Sequence, residues 1–184
     1  MIMEIIVATT NKHKLAEISK ILTGVRCQGL GVRVNEDGET FEANALKKAR
    51  AAAKKSGQLA MADDSGLVVF ALGGKPGVRS ARFTRPATRE NLCHKILRLM
   101  KNKKDRRAKF VCAIALVSPA GQEKVVKGSC AGKIIFEMRG DGGFGYDSIF
   151  APKNSGKTFA QMNPTAKNLI SHRRAALEKI KKII

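Results

Sequence analysis

Residues 59–67, LAMADDSGL, constrain this chain more than any other stretch. The apolar run Leu59, Ala60, Met61, Ala62 has the length of a buried strand. It ends in Asp63, Asp64, Ser65 and Gly66, three polar side chains and a breaker. Two carboxylates at a strand end need a reason, and these residues alone leave two readings open. In one they form an Asx turn, with one Asp bonding the following backbone and the other facing water. In the other they form a divalent-metal and general-base site. Strand side chains alternate in direction, so one carboxylate faces a cleft while its neighbour braces the turn.

At 184 residues the chain fits one domain, residues 1–184, with room for an added lobe and a proper core. Its unusual quantity is charge: 35 Lys and Arg against 15 Asp and Glu, a net of +20. Such a field attracts polyanions, whether nucleotides, nucleic acid or an anionic membrane. A single-strand binder would interleave stacking aromatics, yet the chain is 5% aromatic, with no Trp and one Tyr. Cys27, Cys93, Cys112 and Cys130 are scattered, without metal-finger or disulfide-framework spacing. The N-terminus lacks a basic, signal-like start and no segment reaches membrane-spanning length, so a cytoplasmic protein with no membrane partner is expected.

Taken in order, residues 4–8 (EIIVA) predict a buried strand, and Leu15, Ile18 and Leu22 predict a helix after Thr9, Thr10 and Asn11. A strand, a polar turn and a helix start offer backbone N–H groups and a positive dipole end to an anion, with Lys12 and Lys14 adding charge; simple capping explains the same residues. A second strand is expected at 32–34, an acidic turn at 35–39, and a helix capped by Thr40 and stopped by Gly57. Residues 66–72 read as a further strand, Thr88 as the cap of a helix to Met100, and 101–109 as a solvated helix end and loop. Residues 110–117 and 123–128 predict a hairpin, with β pattern continuing over 130–137. The glycine cluster at 139–146 leaves Phe144 and Tyr146 as candidate stacking planes, and a tight loop with a core Phe explains the same residues. A last helix is expected from Pro164 to Ile184, with Arg173 on its apolar stripe beside Ser171 and His172. A guanidinium there must find an anion, snorkel or line a cleft.

Six collinear motifs, ATTNxxKxxE at 8–17, EDGxTFxxNAxxKA at 36–49, ADDSGL at 62–67, LGGxPGVxSAR at 72–82, GGFGYD at 142–147 and KNxISHR at 167–173, resemble the noncanonical purine nucleoside triphosphate pyrophosphatases, the inosine triphosphatase (Ham1-like) family. The resemblance covers essentially the whole chain. It implies an α/β fold with a long mixed central sheet flanked by helices and two lobes around a nucleotide cleft. It also implies a homodimeric, Mg2+-dependent enzyme cleaving ITP, XTP and their deoxy forms to monophosphate and pyrophosphate.

Carried over by motif, Thr9, Thr10, Asn11, Lys12, His13 and Lys14 would bind substrate, with Thr9, Asn11 and Lys14 on phosphates, as would Lys48. Asp64 would be the general base and a metal ligand, Glu36 a second metal ligand, and Ser65 a substrate contact. Phe144, Gly145, Tyr146, Asp147, Lys167, His172 and Arg173 would surround the base. Arg173, able only to donate, is expected to read the purine 6-oxygen.

Three residues depart from the pattern. Ala43 stands where Glu is common, putting metal binding in question; Ser148 replaces Pro, which should loosen its turn; Gln161 replaces Glu. Two rival readings are a basic nucleic-acid-binding protein and a Maf-like pyrophosphatase for modified pyrimidine triphosphates. The first leaves the acidic motifs unexplained and its basic residues are dispersed, so no specific nucleic-acid partner is expected.

Overall fold

The computed structural model describes residues 2–184. In chain order the elements are β1 (Met3–Val7), α1 (Lys12–Ile21), β2 (Val25–Gly29), α2 (Phe41–Ser56), β3 (Ala60–Val69), α3 (Arg89–Leu99), β4 (Arg107–Val117), β5 (Glu123–Ile134), β6 (Phe150–Pro152), α4 (Pro164–Ile170) and α5 (His172–Ile180). Short 3₁₀ turns lie at Phe70–Leu72, Gly77–Arg82 and Phe159–Gln161. The strands make a mixed six-stranded sheet in the order β2-β1-β3-β4-β5-β6. β1 is parallel to β2 and β3, with Ile5 opposite Cys27 and Val7 opposite Met61, whereas β6 is antiparallel to β5. Parallel neighbours need a crossover, and α1 and α2 are the crossovers on either side of β2.

Helix starts follow their caps. Asn11, Thr40, Thr88 and Asn163 each accept a backbone N–H in the first turn of α1, α2, α3 and α4. Gly57 closes α2 in the left-handed conformation, φ 68°.

Four expected elements differ. β4 begins at Arg107, inside the stretch 101–109 expected to be helix end and loop, because pairing in the sheet buries Ala108. The second strand is Val25–Gly29 rather than 32–34, because pairing along β1 starts at Met3 opposite Val25, straight after the α1 turn. β3 does not turn at Gly66 but continues to Val69, so 66–72 is not a separate strand. The last helix breaks at Ser171, whose backbone is extended (φ −72°, ψ 152°). Serine is favoured immediately before a helix, and that signal outweighs the apolar stripe; Ile170, on the stripe, is 45% exposed.

The chain forms two compact units. The first comprises residues up to Asp64, 112–128 and 173–184; the second comprises 65–111 and 129–172, so β3, β4 and β5 each contribute to both. In the first unit, Ile5 and Val7 of β1, Ile18, Ile21 and Leu22 from α1 and its cap, Ile114 of β4, and Leu177 and Ile180 of α5 share one core. In the second, Phe110, Phe150 and Phe159 pack with centroids 4.8–5.8 Å apart among Leu67, Leu92, Ile96 and Ile149.

The first unit also buries a cation. Arg173 is 1% exposed. Its Nε and Nη2 donate to Asp63 Oδ2 at 3.3 and 3.1 Å, and its Nη1 donates to Glu17 Oε2. Burial works against its charge, but Asp63 and Glu17 overcome that and hold its pKa above the ordinary value. Removing one member of a buried ion group strands the others, at a cost of about 3–5 kcal/mol. Arg173→Met should therefore lose about that much stability in urea unfolding, whereas a loss below about 1 kcal/mol, the scale of an exposed pair, would show that the group is not integral to the fold.

Candidate active site

In the first unit the site begins where β1 ends. Asn11 caps α1, accepting from the N–H of His13 at 2.9 Å and of Lys14 at 3.2 Å, while Thr9 Oγ1 accepts from Asn11 N–H at 3.1 Å. The structural role of Asn11 is thus capping, and Thr10, Lys12 and His13 are exposed on the same turn. Lys14 reaches inward, its Nζ donating to Asp63 Oδ1 at 3.1 Å. The Lys14 side chain is 20% exposed and is held against this buried carboxylate.

Asp63 and Asp64 diverge as alternate residues of a strand must. Asp63, 3% exposed, joins Lys14 to Arg173. The bracing role expected of one Asp is therefore an ion group rather than a turn. Asp64, 7% exposed, accepts from Asn44 Nδ2 at 3.1 Å and lies 3.7 Å from Lys48 Nζ. Lys48 is 3.1 Å from Glu36, so one ammonium stands against both expected metal ligands. Burial raises the pKa of Asp64, with Glu36 adding to it and Lys48, Asn44 and Lys14 opposing. A raised carboxylate pKa suits a group that must take a proton near neutral pH.

Asn44 is the residue that sequence reasoning missed. Fully buried, it receives Gly38 N–H on Oδ1 at 2.8 Å and holds Asp64 with Nδ2, fixing the acidic loop and the carboxylate together. Its signal was its place in the NAxxKA string, four residues before Lys48 on the same helix face. Ala43 leaves no carboxylate beside it, and the neighbouring Glu42 is committed to Lys127 at 2.5 Å. Among the described residues no cluster of three or more His, Cys, Asp or Glu forms a metal cage.

The second unit carries Ser65 and the glycine loop. Asp147, 3% exposed, accepts from Phe144 N–H at 2.8 Å and from Lys167 Nζ at 2.7 Å, and that ammonium lies 4.6 Å from the Phe144 ring centroid. Gly143 is obligatory there: its φ is 70°, and a Cβ would lie 2.1 Å from Asp147 Oδ2. Phe144, 37% exposed, is among the large hydrophobic side chains open to solvent. Tyr146 is not: it is 3% exposed, packed in the core, and its hydroxyl donates to Ser80 O at 2.8 Å, so the expected stacking plane there is corrected. His172 is 5% exposed and stacks on Phe110 at 4.8 Å. Of the outcomes expected for a guanidinium on the apolar stripe, Arg173 takes the first: it finds anions, Asp63 and Glu17.

Two of the departures prove well accommodated. Ser148 is fully buried with its Oγ 3.4 Å from Cys93 Sγ, which itself donates to Gly145 O at 3.3 Å; this ties the turn down rather than loosening it. Gln161 accepts from Thr158 N–H at 3.0 Å, the capping-box bond that a glutamate would make.

The Ham1 family model matches residues 5–183. Among curated relatives, the dITP/XTP pyrophosphatase of Desulforamulus reducens is 43% identical, covering 99% of this chain and 96% of its own. That of Geobacter sulfurreducens is 46% identical, covering 96% and 94%. Among solved structures, the Staphylococcus aureus Ham1 protein superposes with a TM-score of 0.90 at 40% identity, covering 98% of this chain and 97% of its own. A Coxiella burnetii HAM1 protein gives 0.90 at 38% identity, covering 98% of both chains. With matches of this extent in sequence and in fold, the chain belongs to the Ham1 family.

Proposed function

We propose that this chain hydrolyses dITP, XTP, ITP and dXTP to the monophosphate and pyrophosphate, cleansing the nucleotide pool as one catalytic domain. The observation that carries the reading is Asp64, a buried carboxylate held by Asn44 and sharing Lys48 with Glu36, in a chain whose full-length relatives are dITP/XTP pyrophosphatases. Those names speak for purine rather than pyrimidine triphosphates and against a nucleic-acid module.

Lys14 and Lys48 supply charge for the phosphates, with Thr9, Thr10, Asn11, Lys12 and His13 around the start of α1. Each lysine already faces a carboxylate, so an arriving phosphate takes up a cation whose position is set. Asp64 accepts the proton of a water as its oxygen bonds to the α-phosphorus, and the bond to the bridging oxygen breaks with its electron pair leaving on pyrophosphate. Asn44, donating to Asp64 Oδ2, leaves Oδ1 for that proton.

Glu36 and Asp64 fit a hard cation that takes one or two carboxylates and completes its shell with water and substrate phosphate, as Mg2+ does. When bound there it would neutralise charge on the phosphates and the leaving group. On the base side, Phe144 offers the stacking face, the Asp147–Lys167 pair with Gly145 and Ser65 gives polar contacts, and His172 lies next in the chain to Arg173. Arg173 serves in this scheme by holding Asp63, and through it Lys14.

A homodimer working in the cytoplasm is the assembly and place we propose. Among the described residues no helix is long and apolar enough to cross a membrane.

Asp64→Asn should fold normally yet lose about a hundredfold or more in kcat on dITP, and near-normal turnover in the folded variant would move the base to another residue. Activity should vanish on chelation and return with Mg2+, and full turnover in metal-free buffer would contradict the metal assignment.

A further inference from the structure

Ser80 is used by neither the phosphate side nor the base side, yet three hydrogen bonds converge on it. The residue sits in the 3₁₀ turn Gly77–Arg82 and is 5% exposed. Its hydroxyl accepts from Leu67 N–H at 2.9 Å and donates to Gly77 O at 2.6 Å. Its carbonyl accepts from Tyr146 Oη–H at 2.8 Å. Leu67 lies two residues beyond Ser65 on β3, and Tyr146 stands between Gly145 and Asp147 in the loop that presents Phe144.

We propose that Ser80 is a positioning residue that registers the loop 144–147 against the end of β3 carrying Ser65, so that discrimination between bases depends on it. The proposal rests on the reading of that loop as the base-binding element. The turn holding Ser80 is itself folded onto β3, through a bridge between Val68 and Pro76 and a bond from Gly74 N–H to Val69 O at 3.0 Å. The loop has independent supports from α3, where Arg89 donates to Asp141 O at 2.7 Å and Cys93 to Gly145 O at 3.3 Å. These hold it in place when the Ser80 link is cut, so cutting that link changes its register without unfolding it. The links run in series: Leu67 to the Ser80 hydroxyl, then the Ser80 carbonyl to Tyr146. Breaking either one loosens the same coupling of loop to strand, while the turn's own bridge to β3 at Val68 and Pro76 remains, so breaking both costs less than the sum of the two.

The test is a cycle of Tyr146→Phe, Ser80→Ala and the double variant, with kcat and KM measured on dITP and dATP and thermal unfolding followed in parallel. Each single variant should narrow the dITP-to-dATP ratio of kcat/KM by about three- to tenfold, the range of one hydrogen bond, and the double variant should fall short of the sum of the two log effects. A purely structural role would lower the melting temperature and scale both substrates equally. An unchanged ratio in folded Tyr146→Phe, or log effects that sum in the double variant, overturns the proposal. Tyr146→Phe removes a single oxygen and carries the test alone if Ser80→Ala fails to fold. Wild-type enzyme without preference for dITP would instead overturn the functional reading on which the proposal rests.

Discussion

The buried guanidinium of Arg173 is the interaction on which the first unit's active side depends. It joins Glu17 of α1, Asp63 of β3 and its own helix α5, partners 156 and 110 residues apart in sequence. Groups of this kind are poor sources of net stability, because the desolvation of each charge offsets most of the attraction; what they supply is a unique arrangement. With Asp63 committed to Arg173 and Lys14, the alternation of the strand delivers Asp64 to the other side, where Asn44 and Lys48 receive it. The adjacent aspartates thus divide their labour, one keeping lysine and arginine in place and the other, in the proposed reaction, serving the chemistry.

Charge balance follows the same division. Lys14 and Lys48 each stand beside a carboxylate, so neither is an isolated cation. In the second unit the Asp147–Lys167 pair is likewise buried and neutral overall, and Gly143 lets the carboxylate approach the backbone of the loop it shapes. The net charge of +20 is therefore carried largely by exposed side chains outside these paired groups.

Much of this was legible in the chain. Thr40, Thr88 and Asn163 announce their helices because capping is local chemistry, and the strand–turn–helix at the N-terminus follows from four apolar positions, Ile5, Ile6, Val7 and Ala8, before a polar turn. What failed depended on partners distant in sequence. A strand edge such as Val25–Gly29 is selected by pairing with β1 rather than by its own apolarity, and Asp63 and Asp64 do not force a turn once lysine, arginine and asparagine satisfy them. Arg173 was recognisable as an anomaly, but which anion it would meet was not. Tyr146 read as a stacking plane because composition cannot tell an exposed ring from one whose hydroxyl is spent on Ser80. Asn44 escaped notice since an amide on a helix face looks solvated until the carboxylate it holds is seen.

In the proposed reaction, water activated at Asp64 attacks the α-phosphorus of a purine triphosphate. The most direct measurement is turnover of dITP in water enriched in heavy oxygen, with the products separated and weighed by mass spectrometry. Attack at the α-phosphorus puts the label in the monophosphate and releases pyrophosphate unlabelled; label in pyrophosphate, or in free phosphate with the diphosphate as product, would rule that attack out.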